Sequence, residues 1–80
     1  MGDDMETIHV AEGSESLGAQ LLKVRLLRGM TQRDLAAKLE ITQQAVSAIE
    51  KDLIIPSVST LLTFSNVLNV RIIIGGEELK

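Results

Sequence analysis

The stretch that decides the fold is Thr31–Ile49, TQRDLAAKLEITQQAVSAI. Thr31 is a suitable N-cap for a helix opening at Gln32, and Leu35, Ala36 and Leu39 recur behind it at helical spacing. Thr42 offers a second N-cap, followed by an apolar stripe of Val46, Ile49 and Leu53. The intervening Leu39-Glu40-Ile41 is too short for anything but a sharp turn. The spacing therefore predicts two short helices joined tightly, with Gln43, Gln44 and Ser47 facing outward. Any amphipathic helical hairpin shares this periodicity. Less common is the combination of a small Ala36 where the helices cross, Ile41 in the turn, and Val46 and Ile49 on the inner face.

Outward from this hairpin, Ser16 can cap a helix from Leu17 to Arg28, with Gly29 as its left-handed terminator. Pro56-Ser57 starts a fourth helix whose inner face carries Val58, Leu61, Leu62, Ser65, Leu68 and, in part, Phe64; Asn69 can close it. Val70 to Ile74 is rich in β-branched residues, ends in Gly75-Gly76 and reads as a strand. The expected organisation is an acidic, mobile segment over 1–15, a helical domain over 16–69, and a strand and tail over 70–80. Within the first segment Thr7–Val10 could form a short strand, and Met5 is a second candidate start. No repeat or low-complexity tract is present. The fold class expected is all-α, four helices with a short C-terminal β-strand.

Eighty residues allow one small domain with a modest core, which gains much from a partner subunit. The absence of cysteine removes disulfides and thiolate metal sites and fits a reducing cytoplasm. No apolar run approaches a membrane span, and the N-terminus lacks the pattern of a signal peptide. Catalysis finds little support. His9 lies in the acidic segment, Ser14 and Ser16 have no base beside them, and the Gly pairs match no phosphate loop. Asp3-Asp4 and Glu77-Glu78 read as solubilising pairs, so no enzyme activity, metal site or cofactor is expected.

Two helices joined as in Thr31–Ile49 form the helix-turn-helix unit, whose second helix lies in the DNA major groove. A net charge of −3 argues at first against nucleic acid, but the acid is unevenly placed. Residues 1–16 hold Asp3, Asp4, Glu6, Glu12 and Glu15 without a cation. Residues 17–69 set Lys23, Arg25, Arg28, Arg33, Lys38 and Lys51 against Asp34, Glu40, Glu50 and Asp52, a net positive core. The single aromatic, Phe64, argues against the stacking platforms of single-strand binders. Gln43 and Gln44 carry carboxamides that can accept from adenine N6 and donate to N7 together. Ser47 lies one turn beyond, and Ala45 and Ala48 permit close approach. Gln32 can grip a phosphate beside free backbone N–H groups, with Arg33 and Lys51 as cationic contacts. The alternative is that all of these are solvent-facing polar residues on two amphipathic helices.

Leu17–Val70 resembles the Xre/Cro/C1 helix-turn-helix family of phage and bacterial repressors. The residues that carry the likeness are LGAQLLKVRLLRGMTQ, DLAAKLEITQQAVSAIEK and PSVSTLLTFSNVLNV. Gly29, Thr31-Gln32, Leu35-Ala36, Val46-Ser47, Glu50 and Pro56-Ser57 follow the family's order. Thr42-Gln43-Gln44 is similar to the opening of the recognition helix in a lambdoid phage repressor, where the glutamines touch base edges and phosphates. The resemblance implies a double-stranded DNA operator as partner and a DNA face of Gln32, Arg33, Thr42, Gln43, Gln44, Ser47 and Lys51. It also implies a buried ion pair between Arg25, at the shoulder of the first helix's apolar stripe, and Glu50.

Four features depart from the pattern. Glu40 stands where glycine is common, at a position that tends to need φ > 0. Asp52-Leu53-Ile54-Ile55 replaces a basic, glycine-containing loop. The first helix carries Leu22 and Leu26 opposite its core stripe. Finally, RIIIGG stands where family members usually place a fifth helix, which is similar to small Hip-like antitoxins whose dimers share a C-terminal strand. That likeness implies a homodimer joined through Val70, Arg71, Ile72, Ile73 and Ile74. A strand without a partner leaves N–H and C=O groups unsatisfied, and a two-fold copy would supply them. Thr7–Val10 is the weaker candidate partner within the chain, and a last helix over 69–74 is the alternative. The function expected is a dimeric, cytoplasmic, sequence-specific transcriptional repressor. The alternative is an antitoxin that neutralises a partner toxin and autoregulates its own operon.

Overall fold

Each helix of the computed structural model begins at a hydroxyl that accepts from the backbone three residues on. The structure describes residues 6–11 and 13–79, so Asp3, Asp4, Glu12 and the candidate start at Met5 lie outside the described residues. Ser16, Thr31, Thr42 and Ser57 cap α1 (Leu17–Leu27), α2 (Gln32–Leu39), α3 (Gln43–Glu50) and α4 (Val58–Leu68). Each hydroxyl satisfies one of the N–H groups a helix start leaves free, worth ~1 kcal/mol. At Thr31 the cap is reciprocal, since Asp34 returns a bond from its carboxylate to the Thr31 N–H at 3.0 Å. The helix ends are equally local in origin. Gly29, Glu40 and Asn69 take left-handed conformations with φ of 71°, 60° and 53°. The four-helix architecture is the one expected.

The helices enclose a core centred on Leu21, Leu35, Val46, Phe64 and Leu68, all fully buried. Phe64 sits at the middle of this core rather than at its edge, whereas Val58, placed on the inner face from the sequence, is exposed. Arg28 closes the far end. Its Nε donates to the Leu68 carbonyl at 2.6 Å and its Nη2 to that of Asn69 at 3.0 Å. A cation at the C-cap of α1 thus satisfies carbonyls at the C-terminus of α4, where the helix dipole favours it.

The strands correct two expectations. Thr7–Val10 is β1 and Arg71–Ile74 is β2, and they pair in parallel with Ile8 beside Ile72. Both isoleucines are buried against the helical core. The segment 1–15, expected to be mobile, therefore contains an integral strand. Beyond β2, Gly75 and Gly76 both have positive φ, the requirement of a type I′ hairpin turn. They return the chain as β3 (Glu77–Glu78), antiparallel to β2. β2 is therefore the central strand of a three-stranded sheet. β1 pairs with the whole of β2 on one side and β3 covers Ile73 and Ile74 on the other, so the strand expected to join two copies has partners within its own chain.

The outer edge of β1 is also guarded. The Gln20 carboxamide accepts from the His9 N–H at 3.0 Å and donates to the His9 carbonyl at 2.6 Å. The side chain thus stands in for a neighbouring strand, one of the ways an exposed edge is blunted. No described helix is long and apolar enough to cross a membrane.

Candidate nucleic-acid interface

α2 and α3 meet at a turn whose pivot is Glu40. Its φ of 60° and ψ of 41° reverse the chain so that Ile41 follows with its N–H on the Ala36 carbonyl at 3.1 Å. Holding a non-glycine residue there costs ~1 kcal/mol. Buried Leu39 on one side and buried Val46 on the other anchor the two helices to the same core. α3 is thereby held with its inner face packed and its N-terminal turn in solvent.

The outer residues of this arrangement converge. Gln32 from the start of α2 and Gln43, Gln44 and Ser47 from α3 line one polar concavity of about 320 Å³. Gln43 and Gln44 are exposed, while Gln32 and Ser47 are half-buried. Thr42, Arg33 and Lys51 do not line it. Thr42 caps α3 by accepting from the Ala45 N–H at 3.0 Å. Arg33 is exposed next to Gln32, and Lys51 is exposed at the C-cap of α3. The concavity is chemically a cluster of carboxamide and hydroxyl groups, able to donate and accept at once, with cations at two ends of the pair of helices.

Behind it lies a buried ion pair. Arg25 Nε donates to Glu50 Oε2 at 2.6 Å and Nη2 to Oε1 at 3.1 Å, joining α1 to the end of α3. Both side chains are more than nine-tenths buried. Arg25 Nη1 also reaches the Met30 carbonyl at 2.8 Å, so the guanidinium fork is occupied on both sides. Gln32 Nε2 then donates to Glu50 Oε1 at 2.9 Å. This last bond was missed in the sequence, which placed Gln32 only as a phosphate contact. No periodic signal links residues on different helices in this way.

A second missed residue is Asp52, which has a positive φ of 61°. The neighbouring Ser16 hydroxyl and the Gly18 N–H, which donates to Asp52 Oδ1, hold its carboxyl below the usual carboxylate range. The Gly18 N–H bond is 2.9 Å long. The first turn of α1 is thus tied to the residue that follows α3. Gly18 permits the approach: a Cβ there would collide with the Ile49 and Glu50 carbonyl oxygens. Asp34 is likewise lowered, by the Thr31 backbone N–H and then by its hydroxyl. Among the described residues no cluster of acids, histidines or cysteines could hold a metal ion.

The helix-turn-helix family model HTH_3 matches residues 21–73, from α1 through β2. This chain belongs to that Xre/Cro/C1-like family. The helix-turn-helix protein is similar to two solved structures. One is the master regulator for biofilm formation SinR in complex with DNA, 30% identical over 69% of this chain and 89% of that one, with a TM-score of 0.65. The other is a mutant of the restriction-modification controller protein C.Esp1396I, 34% identical over 66% of this chain and 69% of that one, with a TM-score of 0.62. No curated protein sequence matches the helix-turn-helix protein significantly.

Proposed function

We propose that this helix-turn-helix protein is a transcriptional regulator that binds double-stranded DNA by sequence, acting as a repressor in the cytoplasm. One observation carries the reading: Gln32, Gln43, Gln44 and Ser47 share a single polar concavity at the exposed N-terminal turn of α3. That turn is the part of a recognition helix that meets base edges. Family membership and the likeness to a regulator solved on DNA support the same reading.

In this reading Gln44 and Gln43 make the base contacts, Ser47 reaches a base or a phosphate, and Thr42, Gln32, Arg33 and Lys51 hold the backbone. The surface is weakly basic, so each subunit contributes few ion pairs and a homodimer on two half-sites supplies the affinity.

Duplexes selected from a random-sequence pool by the wild-type chain, then titrated with variants, test this. Gln44→Ala should lose ~1–3 kcal/mol of discrimination between the selected and a scrambled duplex. Lys51→Ala should weaken binding to both alike and reduce the salt slope by about one. If replacing Gln43 and Gln44 together leaves affinity for the selected duplex unchanged, the assignment is wrong.

A further inference from the structure

A second recess lies apart from the polar concavity of α2 and α3. It is a groove of about 400 Å³ walled by Val10 of β1, Leu17 of α1, Ile49 of α3, and Ile54, Ile55 and Pro56 of the loop before α4. Ser16 and Asp52 are its only polar members. None of these residues lines the concavity of Gln32, Gln43, Gln44 and Ser47. Ile49 belongs to the buried core, so the floor is firm, while Ile54 and Ile55 stand on the rim, 48 and 89% exposed. Small-molecule sites have this form: roughly 300–1,000 Å³, a mainly apolar lining, and a few convergent polar groups.

The polar end decides what an occupant must offer. Asp52 is ionised at neutral pH, since Ser16 and Gly18 hold its carboxyl below the usual range. An ionised carboxylate accepts hydrogen bonds and donates none, with about four lone-pair sites. The Gly18 N–H takes one of them, at 2.9 Å on Oδ1, and the Ser16 hydroxyl is the other neighbour. Asp52 is exposed, so its remaining sites are open. The Ser16 oxygen already accepts from the Ala19 N–H at 3.1 Å as the cap of α1. No lysine or arginine lines the groove. The missing complement is therefore a positively charged donor, and an anion would be repelled.

We propose that this groove binds a small amphiphilic amine, with its ammonium on Asp52 and its alkyl body along Leu17, Ile49 and Ile54. Charge complementarity selects the ammonium. Burial of the alkyl chain supplies most of the affinity, because an ion pair this exposed contributes little by itself. The occupant would touch the first turn of α1 and the last turn of α3 together, the two elements that Asp52 already ties through Gly18.

Titration of n-octylammonium, n-octanol and octanoate into the isotopically labelled full chain, followed by amide NMR, tests the proposal. Octylammonium should shift the amides of Val10, Leu17, Gly18, Ile49 and Ile54 and saturate at or below roughly 10 mM, the weak limit for a ligand of this size. It should bind about fivefold more tightly than the alcohol, with octanoate weaker still. Asp52→Asn should bring octylammonium down to the level of the alcohol, and the same spectra show whether the variant is folded. Should it not be, Ile55→Lys at the exposed rim is read in its place, and should weaken octylammonium more than octanol. Shifts that fail to saturate in that range, or that spread evenly over the chain, overturn the proposal and leave the groove to a protein surface. Equal binding of octylammonium and octanoate overturns it too, as does an octylammonium affinity unchanged in the variant that is read.

Discussion

Gln32 Nε2 and Arg25 Nη2 donate to the same atom, Glu50 Oε1, at 2.9 and 3.1 Å. Three side chains from α2, α1 and α3 thus meet at one carboxylate. One of them lines the polar concavity and another is buried in the core. The relationship couples the helix packing to the orientation of the outward amide. With one Gln32 N–H held by Glu50, its other N–H and its carbonyl oxygen remain for the concavity.

The two ends of that relay should separate experimentally. Glu50→Ala strands a buried guanidinium and should cost ~3–5 kcal/mol, read as a shift in the urea midpoint. Gln32→Ala removes one partly exposed hydrogen bond and should cost only about 0.5–1.5 kcal/mol. It should nonetheless weaken binding to the selected duplex. Equal destabilisation by the two variants would show that the ion pair is not the dominant element.

Gly18→Ala is the smallest substitution with a large expected effect. The added methyl meets two backbone carbonyls at the end of α3, which cannot rotate away as a side chain could. Overpacking of this kind costs ~1–3 kcal/mol. Alanine's better helix propensity recovers less than that. A melting temperature at or above that of the wild type would contradict the close approach of α1 to α3.

Glu40→Gly should act in the opposite direction. Glycine accepts φ near 60° without strain, so stability should rise by up to about 1 kcal/mol, reduced by the greater freedom of the unfolded chain. The substitution also removes an exposed acid from the turn, so binding to all duplexes should tighten at low salt. Thermal melts and titrations on scrambled DNA measure the two effects separately.

Stability should fall with acid in a way that reports Asp52 and Asp34. Both carboxyls are held below the ordinary range in the folded chain, Asp52 by Ser16 and Gly18 and Asp34 by Thr31. Their contribution is complete above the unfolded value, about 3.9, and is lost as pH drops through the folded values. The gap in denaturation midpoint between wild type and Asp52→Asn should therefore be constant near neutrality and narrow below about pH 4. A gap that holds steady to pH 2.5 would remove Asp52 from the account.

What the sequence by itself determined is what neighbouring residues decide among themselves. Ser16, Thr31, Thr42 and Ser57 each cap a helix by reaching three residues along. Glu40 and Asn69 are left-handed because the chain must reverse where the apolar pattern breaks. The outward set of Gln43, Gln44 and Ser47 follows from the 3.6-residue period once Val46 and Ile49 face inward. What only the tertiary structure decided are pairings between distant residues. Gln32 meets Glu50 from 18 residues away, Gly18 meets Asp52 from 34, and Arg28 meets the Leu68 carbonyl from 40. β1 is the clearest case. The sequence offers Thr7–Val10 as a short strand and only as the weaker partner for Val70–Ile74, and its parallel pairing with β2, at the other end of the chain, is settled by the fold. Periodicity tells which face of an element avoids water, but not which other face it meets. That choice is made by the packing of the whole core, where Ile8 and Ile72 bury each other and remove the open ladder that the C-terminal strand alone would have presented.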